Sequence, residues 1–183
     1  MNARVTVHRA TAEQAAAAVE DLADVLLDCV QGGASVSFMS PLPRAKALRF
    51  WRDVVQGVAR GERALLLAAD PGGRIVGTVQ LVLAMPDNQP HRADVAKMLV
   101  HRRVRRQGVA ERLMTALDEV ARGAGKTVLV LDTVTGGDAE RLYARAGWQR
   151  VGSVPNYALM PDGAMCATTF FHKQLAQAVD PAA

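Results

Sequence analysis

The stretch Val104-Arg105-Arg106-Gln107-Gly108-Val109-Ala110-Glu111-Arg112-Leu113-Met114 reads as a loop that becomes a helix. Val109, Leu113, Leu117, Val120 and Ala124 recur at steps of three or four, which predicts an amphipathic helix. Arg92 to His101, just before it, reads as a strand. Five of the six residues from His101 to Arg106 are basic or potentially basic. A solvated loop is one reading of this junction. The other is a seat for a phosphate-rich ligand. A helix start carries unpaired N–H groups and partial positive charge, and so binds anions. Gly108 removes a side chain where a phosphate would approach, and Ala110 keeps the next turn open. Arg105 and Arg106 add charge and forked donors. The spacing fits neither GxGxxG nor the Walker pattern, so it does not support a dinucleotide or nucleoside-triphosphate site.

Working outward, Arg4 to Arg9 alternates as a first strand. Thr11 with Gln14 is a capping-box signature, and one Ala-rich helix is expected on toward Val30, ended by Gly32-Gly33. Ala34 to Leu42 reads as a loop, and Pro43 opens a second helix with Trp51 on its apolar side. Ala64–Ala69 and Ile75–Ala84 form a hairpin across Pro71-Gly72-Gly73. Thr127 to Leu131 is continuously apolar, as expected of a strand covered on both faces. A short helix spans about Asp138 to Ala146, and two last strands cover Trp148–Val154 and Met165–Lys173. This order predicts one α/β domain over residues 1–176, built on a mixed sheet, with a flexible tail over 177–183.

The 183 residues suit a single domain. No apolar run approaches the roughly 20 residues that span a bilayer. The start, MNARVTVHRATAEQ, has no apolar leader core, so a cytoplasmic protein with no membrane partner is expected. Cys29 and Cys166 are far apart, which fits a reducing compartment. The four histidines, His8, His91, His101 and His172, have no metal-ligand spacing, and no metal is expected. The net charge is +4, and 18 of the 22 basic residues are arginine. That balance fits an anionic partner. Nucleic acid is disfavoured, because Glu111, Asp118 and Glu119 line the polar face of the helix and aromatics for stacking are scarce.

The run LVHRRVRRQGVAERLM resembles the cofactor motif of the GNAT superfamily of N-acetyltransferases, Q/R-x-x-G-x-G/A, at Arg105-x-x-Gly108-x-Ala110. VLVLDTVTGGDAERLYARAGWQRVG resembles that family's next landmark, with Tyr143, Gly147 and Trp148 in place. A narrower resemblance, to the tabtoxin-resistance acetyltransferases, rests on GGASVSFM, RADVAKMLV, LDT and PDG. The resemblance implies the GNAT fold: a mixed sheet of about seven strands flanked by four helices. It implies acetyl-CoA as acyl donor, and transfer of an acetyl group to a primary amine by direct attack in a ternary complex. The narrower resemblance implies a small amine, an amino-acid-like toxin or antibiotic. Family analogy also allows a homodimer through the C-terminal strands.

Site residues follow from the same resemblance. Met98, Leu99 and Val100 would lie along the pantetheine arm. N–H groups and side chains from Arg105, Arg106, Gln107, Gly108, Val109, Ala110 and Glu111 would hold the pyrophosphate. Tyr143 would protonate the leaving thiolate, although a packed tyrosine with a bonded hydroxyl is the plainer reading of the residue alone. Asp94 and Asp132 are the candidate bases; the tabtoxin-resistance pattern has Glu where Asp94 stands, and each could instead bind the substrate ammonium or cap a strand. Ser35, Phe38 and Met39, with Ser37, are expected to line the amine site, and Trp51 to belong to the core. An acyl-CoA-binding module without turnover and a GNAT enzyme acting on a protein or peptide amine are the alternatives.

Overall fold

Thr11 begins the first helix as its sequence requires. The Gln14 N–H donates to Thr11 Oγ1 at 3.2 Å, and the Thr11 N–H donates to Gln14 Oε1 at 2.9 Å. A computed structural model describes residues 5–176. The readings of Arg4 as strand and of 177–183 as a tail lie outside the described residues. The elements in chain order are β1 (Thr6–Arg9), α1 (Ala12–Ala17), α2 (Val19–Gln31), α3 (Arg44–Ala59), β2 (Arg63–Ala69), β3 (Ile75–Val82), β4 (Arg92–Val100), α4 (Val109–Gly123), β5 (Val128–Val134), α5 (Asp138–Arg145), β6 (Gln149–Leu159) and β7 (Met165–Gln174).

Five α-helices stand where four were expected. The predicted first helix is interrupted at Ala18, which keeps right-handed dihedrals of −87° and −1°. No glycine or proline marks that point in the sequence. Tertiary packing sets it, since Ala15, Ala18, Val19 and Leu22 are all buried and both segments pack on α3.

The seven strands run in the order β1-β2-β3-β4-β5-β7-β6. All neighbours are antiparallel except β4 and β5, which pair in parallel. Strand alternation sends Leu65, Leu67 and Leu99 to one core, under α1–α3. It sends Leu66, Val79, Leu81, Ala93, Val95, Leu129 and Leu131 to a second core, under α4 and α5. Helix α4 lies close on β3 because Gly77 has no side chain; a Cβ there would stand 3.1 Å from the Leu99 carbonyl oxygen and 3.3 Å from Val109 Cγ1.

Two irregularities shape the site. The β4–β5 ladder covers only Arg92–Asp94 against Val128–Val130. Beyond it, β4 stays with β3 while β5 continues to Val134 on β7, so the parallel pair opens as a fork. In β4 the register against β3 slips between Thr78 and Gln80, opposite Lys97, whose φ is 52°. A lysine in that region is uncommon and marks a bulge. At the far edge, β6 is longer than expected, running past Pro155 to Leu159 with a second slip near Asn156. An edge strand tolerates proline, because the missing N–H faces outward.

Candidate active site

The basic run divides into spent and free charges. Arg102 donates its N–H to Asp28 Oδ2 at 2.8 Å and its Nε to Asp28 Oδ1 at 2.9 Å. Arg103 pairs with Asp70 at 3.1 Å. These contacts anchor the single helical turn at Arg102–Val104 to α2 and to the β2–β3 turn. Arg105 and Arg106 have no carboxylate partner among the described residues; the Arg105 Nε donates to the Val100 carbonyl at 3.2 Å.

Next comes the turn into α4. Arg106 and Gly108 both have left-handed backbones, φ 61° and 74°, and Gly108 is the N-cap with no side-chain cap. The first backbone donor accounted for in α4 is Arg112, to the Gly108 carbonyl at 3.1 Å. The N–H groups from Arg106 to Glu111 therefore have no acceptor among the described residues. Consecutive free N–H groups at a helix start, beside two unpaired guanidinium groups, fit a pyrophosphate. Gly108 faces open space, so nothing blocks the approach. Val109 buries its side chain in the second core and offers only its N–H. Leu99 likewise buries its side chain in the first core, so only its backbone can serve a ligand. Met98 and Val100 lie on the arm of β4 that has left β5, where strand-like pairing with an extended chain is open.

Tyr143 is 5% exposed and packs its ring 6.0 Å from both Trp148 and Phe171. Its hydroxyl has no hydrogen-bond partner among the described residues. Nor is it one of the sealed unpartnered atoms, which are Trp51 Nε1, Arg63 Nε, Gln80 Nε2, Asp118 Oδ1 and Trp148 Nε1. It therefore reaches open space. Burial, with a smaller push from the Asp132 charge, holds this hydroxyl well above the ordinary tyrosine value. It is a proton donor at neutral pH.

The two carboxylates differ. Asp94 is ion-paired to Arg92 on its own strand. Asp132 has no ion pair among the described residues; it lies inside β5 rather than at its end, opposite Phe170 of β7. Burial raises its carboxyl above the ordinary value; Lys97 acts against that shift and Asp94 adds to it. Alternation with Ala93, Val95, Leu129 and Leu131 puts both carboxylates on the sheet face away from Tyr143, the face on which Lys97 meets Ser37.

The segment 33–41 is pinned rather than loose. Ser35 Oγ donates to the Leu159 carbonyl at 2.8 Å, and the Ser40 N–H donates to the Pro161 carbonyl at 2.9 Å. Ser35 is thus a structural tie. Phe38 is 9% exposed and packs edge-on against Phe50 at 5.2 Å, so it belongs to the core. Met39 stays exposed. Ser37 faces the site, where it meets Lys97 Nζ at 2.9 Å. Trp51 is core, as expected.

The family pattern described as Acetyltransferase (GNAT) family matches residues 26–148, a span that includes the α4 seat, β5 and Tyr143. The chain belongs to the GNAT acetyltransferase family. An uncharacterized N-acetyltransferase from the hisH–hisA intergenic region of Azospirillum brasilense is 33% identical over 116 residues, 62% of this chain and 67% of that protein. Among solved structures, a ribosomal-protein-alanine N-acetyltransferase from Brucella melitensis superposes with TM-score 0.77 at 20% identity, covering 93% of this chain and 99% of that one. A GNAT superfamily phosphinothricin acetyltransferase from Sinorhizobium meliloti, in complex with AcCoA, gives 0.75 at 17%, covering 98% and 91%. This GNAT enzyme is an acetyl-CoA-dependent acetyltransferase. No helix among the described residues is long and apolar enough to cross a membrane.

Sequence reasoning passed over three polar residues on the sheet face of Asp94 and Asp132: Lys97, Arg63 and Gln80. Arg63 Nη1 donates to Gln80 Oε1 at 2.7 Å, within the same sheet face as Lys97. One signal was available for Lys97. It is the one lysine in β4, set in the apolar half of that strand from Val95 to Val100, in a chain that uses arginine for most of its cations.

Proposed function

We propose that this GNAT enzyme acetylates the primary amine of a small, amino-acid-like molecule, a toxin or antibiotic, by direct attack in a ternary complex. One observation carries the reading. Contacts link the segments that resemble the tabtoxin-resistance acetyltransferases: GGASVSFM makes up most of the pinned segment, which meets RADVAKMLV of β4 at Lys97 and PDG of the β6–β7 turn at Pro161, and LDT lies in β5, the strand beside β4. Ser35, Ser37 and Ser40 tie the pinned segment to β6, to Lys97 and to Pro161. A roof held at three points favours a small ligand over a peptide.

When bound, acetyl-CoA supplies the thioester carbonyl carbon, where the C–N bond forms as the C–S bond breaks. The N–H groups from Arg106 to Glu111, with Arg105 and Arg106, hold its pyrophosphate. Met98 and Val100 align its arm through their backbones. Asp132 takes the proton that the substrate ammonium must lose, directly or through one water. Its raised value makes it a better base than an ordinary aspartate near neutral pH. Asp94, held by Arg92, adds to that raised value rather than moving the proton. Tyr143 gives its proton to the departing sulfur. The enzyme is cytoplasmic in this reading, consistent with the unpaired Cys29 and Cys166. Residues 1–176 act as one domain, and the exposed apolar side chains of β6 and β7, Val151, Tyr157 and Met165 among them, offer the surface for a homodimer.

The test is acetyl-CoA-dependent thiol release across small amines, amino acids and peptide N-termini, with acetyl-CoA binding followed by thermal shift. Release with amino acids supports the proposal. Release with peptides alone overturns it in favour of a protein amine. Stabilisation by acetyl-CoA without release from any amine overturns it in favour of a binding module.

A further inference from the structure

Lys97 is a cation placed where the strand geometry exposes it to the amine site. It sits at the bulge of β4, beyond the last residue that pairs with β5. Bulges re-aim side chains, and this one turns Lys97 toward the pinned segment and α3. Its ammonium donates to Ser37 Oγ at 2.9 Å and stands 5.8 Å from the centre of the Phe50 ring. An ammonium has three donors. Only that one is spent among the described residues, and no carboxylate lies within 4.0 Å.

The other three lysines are better provided for or more open. Lys173 pairs with Asp118 at 2.6 Å. Lys126 donates to the Leu83 and Pro90 carbonyls. Lys46 lies on the exposed side of α3. Two further polar groups beside Lys97 also lack an acceptor. Gln80, 1% exposed and paired in register with Ala96, leaves its Nε2 unpartnered; Arg63, which holds the Gln80 oxygen, leaves its Nε unpartnered. Burial lowers the Lys97 ammonium from its ordinary value, Asp132 opposes that shift and Arg63 adds to it. The charges of Lys97 and Asp132 therefore feel each other without touching.

We infer that Lys97, with Ser37, binds a carboxylate of the amine substrate, so that the enzyme selects a zwitterion whose ammonium faces Asp132. This rests on the small-amine reading above and names its substrate class. A half-buried cation beside a second cation has an unmet demand for an anion. A zwitterion meets it and presents the opposite charge to the free carboxylate of Asp132. A neutral amine of the same size would leave Lys97 unpaired in the closed site, and discrimination of that kind is large.

The experiment compares L-amino acids with their carboxamides, pair by pair. Acetyl transfer is measured by thiol release, and binding by calorimetric titration into the CoA-loaded enzyme. For the best pair, kcat/KM should favour the acid by about tenfold or more, carried mainly by KM. Lys97→Met should collapse that ratio, and Lys97→Arg should keep most of it. Equal kcat/KM or equal affinity for acid and amide in the wild type overturns the inference. So does a Lys97→Met enzyme that loses acid and amide turnover equally, which would place Lys97 in the chemistry or the fold. If no amine is acetylated although acetyl-CoA binds, the transferase proposal fails by itself. The calorimetric comparison of acid with amide then still decides the carboxylate site.

Discussion

At the scale of single residues, burial decides roles. Tyr143 is a sealed ring with an open hydroxyl, so removing that hydroxyl should harm transfer and leave packing intact. Tyr143→Phe should lower kcat by about tenfold or more, with acetyl-CoA affinity unchanged. Unchanged kcat in a chemistry-limited assay would remove the residue from the acid role. In its proposed role as base, Asp132 works only when ionised. Burial raises its value, so kcat/KM should fall as pH drops through a point above the ordinary aspartate value of about 4. A pH profile of Asp132→Asn should lose that limb and run lower throughout. A wild-type limb that survives the substitution would assign the proton to another group.

At the scale of elements, the start of α4 and the end of α2 carry the proposed cofactor seat. Gly108→Asp brings bulk and like charge to the pyrophosphate and should weaken CoA binding by about tenfold or more. Gly108→Asn is the control, since asparagine tolerates the left-handed backbone and adds no charge. Equal affinity for both variants and the wild type would place the cofactor elsewhere. Asp28 holds the seat from behind. Burial alone would raise its carboxyl, but the Arg102 hydrogen bonds and the nearby His101 and Arg102 charges outweigh that and lower it. A lowered value means that its stabilisation is present above the unfolded value and is lost only as pH falls through the lower folded one. The anchor should therefore survive down to the ordinary carboxylate range, about pH 4, and release below it. Asp28→Ala should cost about 1–3 kcal/mol in denaturant unfolding, because Arg102 loses two charge-assisted bonds.

At the scale of the whole molecule, one sheet separates two tasks. The α4 seat and Tyr143 belong to the side of the second core, while Lys97, Asp132 and the pinned segment belong to the other. The fork between β4 and β5 joins the two sides. In the proposed mechanism both substrates are bound at once. Initial rates against both substrates should give intersecting double-reciprocal lines. Parallel lines would signal an acetylated enzyme and a ping-pong route.

The sequence alone determined a good deal of this. Residue patterning placed the strands and the helices from Arg44 onward, as period two or 3.6 on a half-buried face and as a continuous apolar run where both faces are covered, although β6 runs on to Leu159, past its expected end at Val154. The Arg105-x-x-Gly108-x-Ala110 spacing marked the helix start at Val109, whose N–H groups stay free, because such a start needs only backbone and room. Three things were decided by tertiary structure. The break at Ala18 comes from packing on α3 and has no local signal. The fork comes from β5 continuing along β7 after β4 has turned away, a relation between strands far apart in sequence. The inward turn of Lys97 comes from a bulge set by the register of β4 on β3. Partners also divided the arginine run, and no local pattern reveals that Asp28 and Asp70 claim Arg102 and Arg103 while Arg105 and Arg106 stay free. Ser35 and Phe38 read as pocket residues in a polar loop; the fold spends one on β6 and the other on the core. A side chain's type limits what it can do, but its neighbours in space decide which of those things it does.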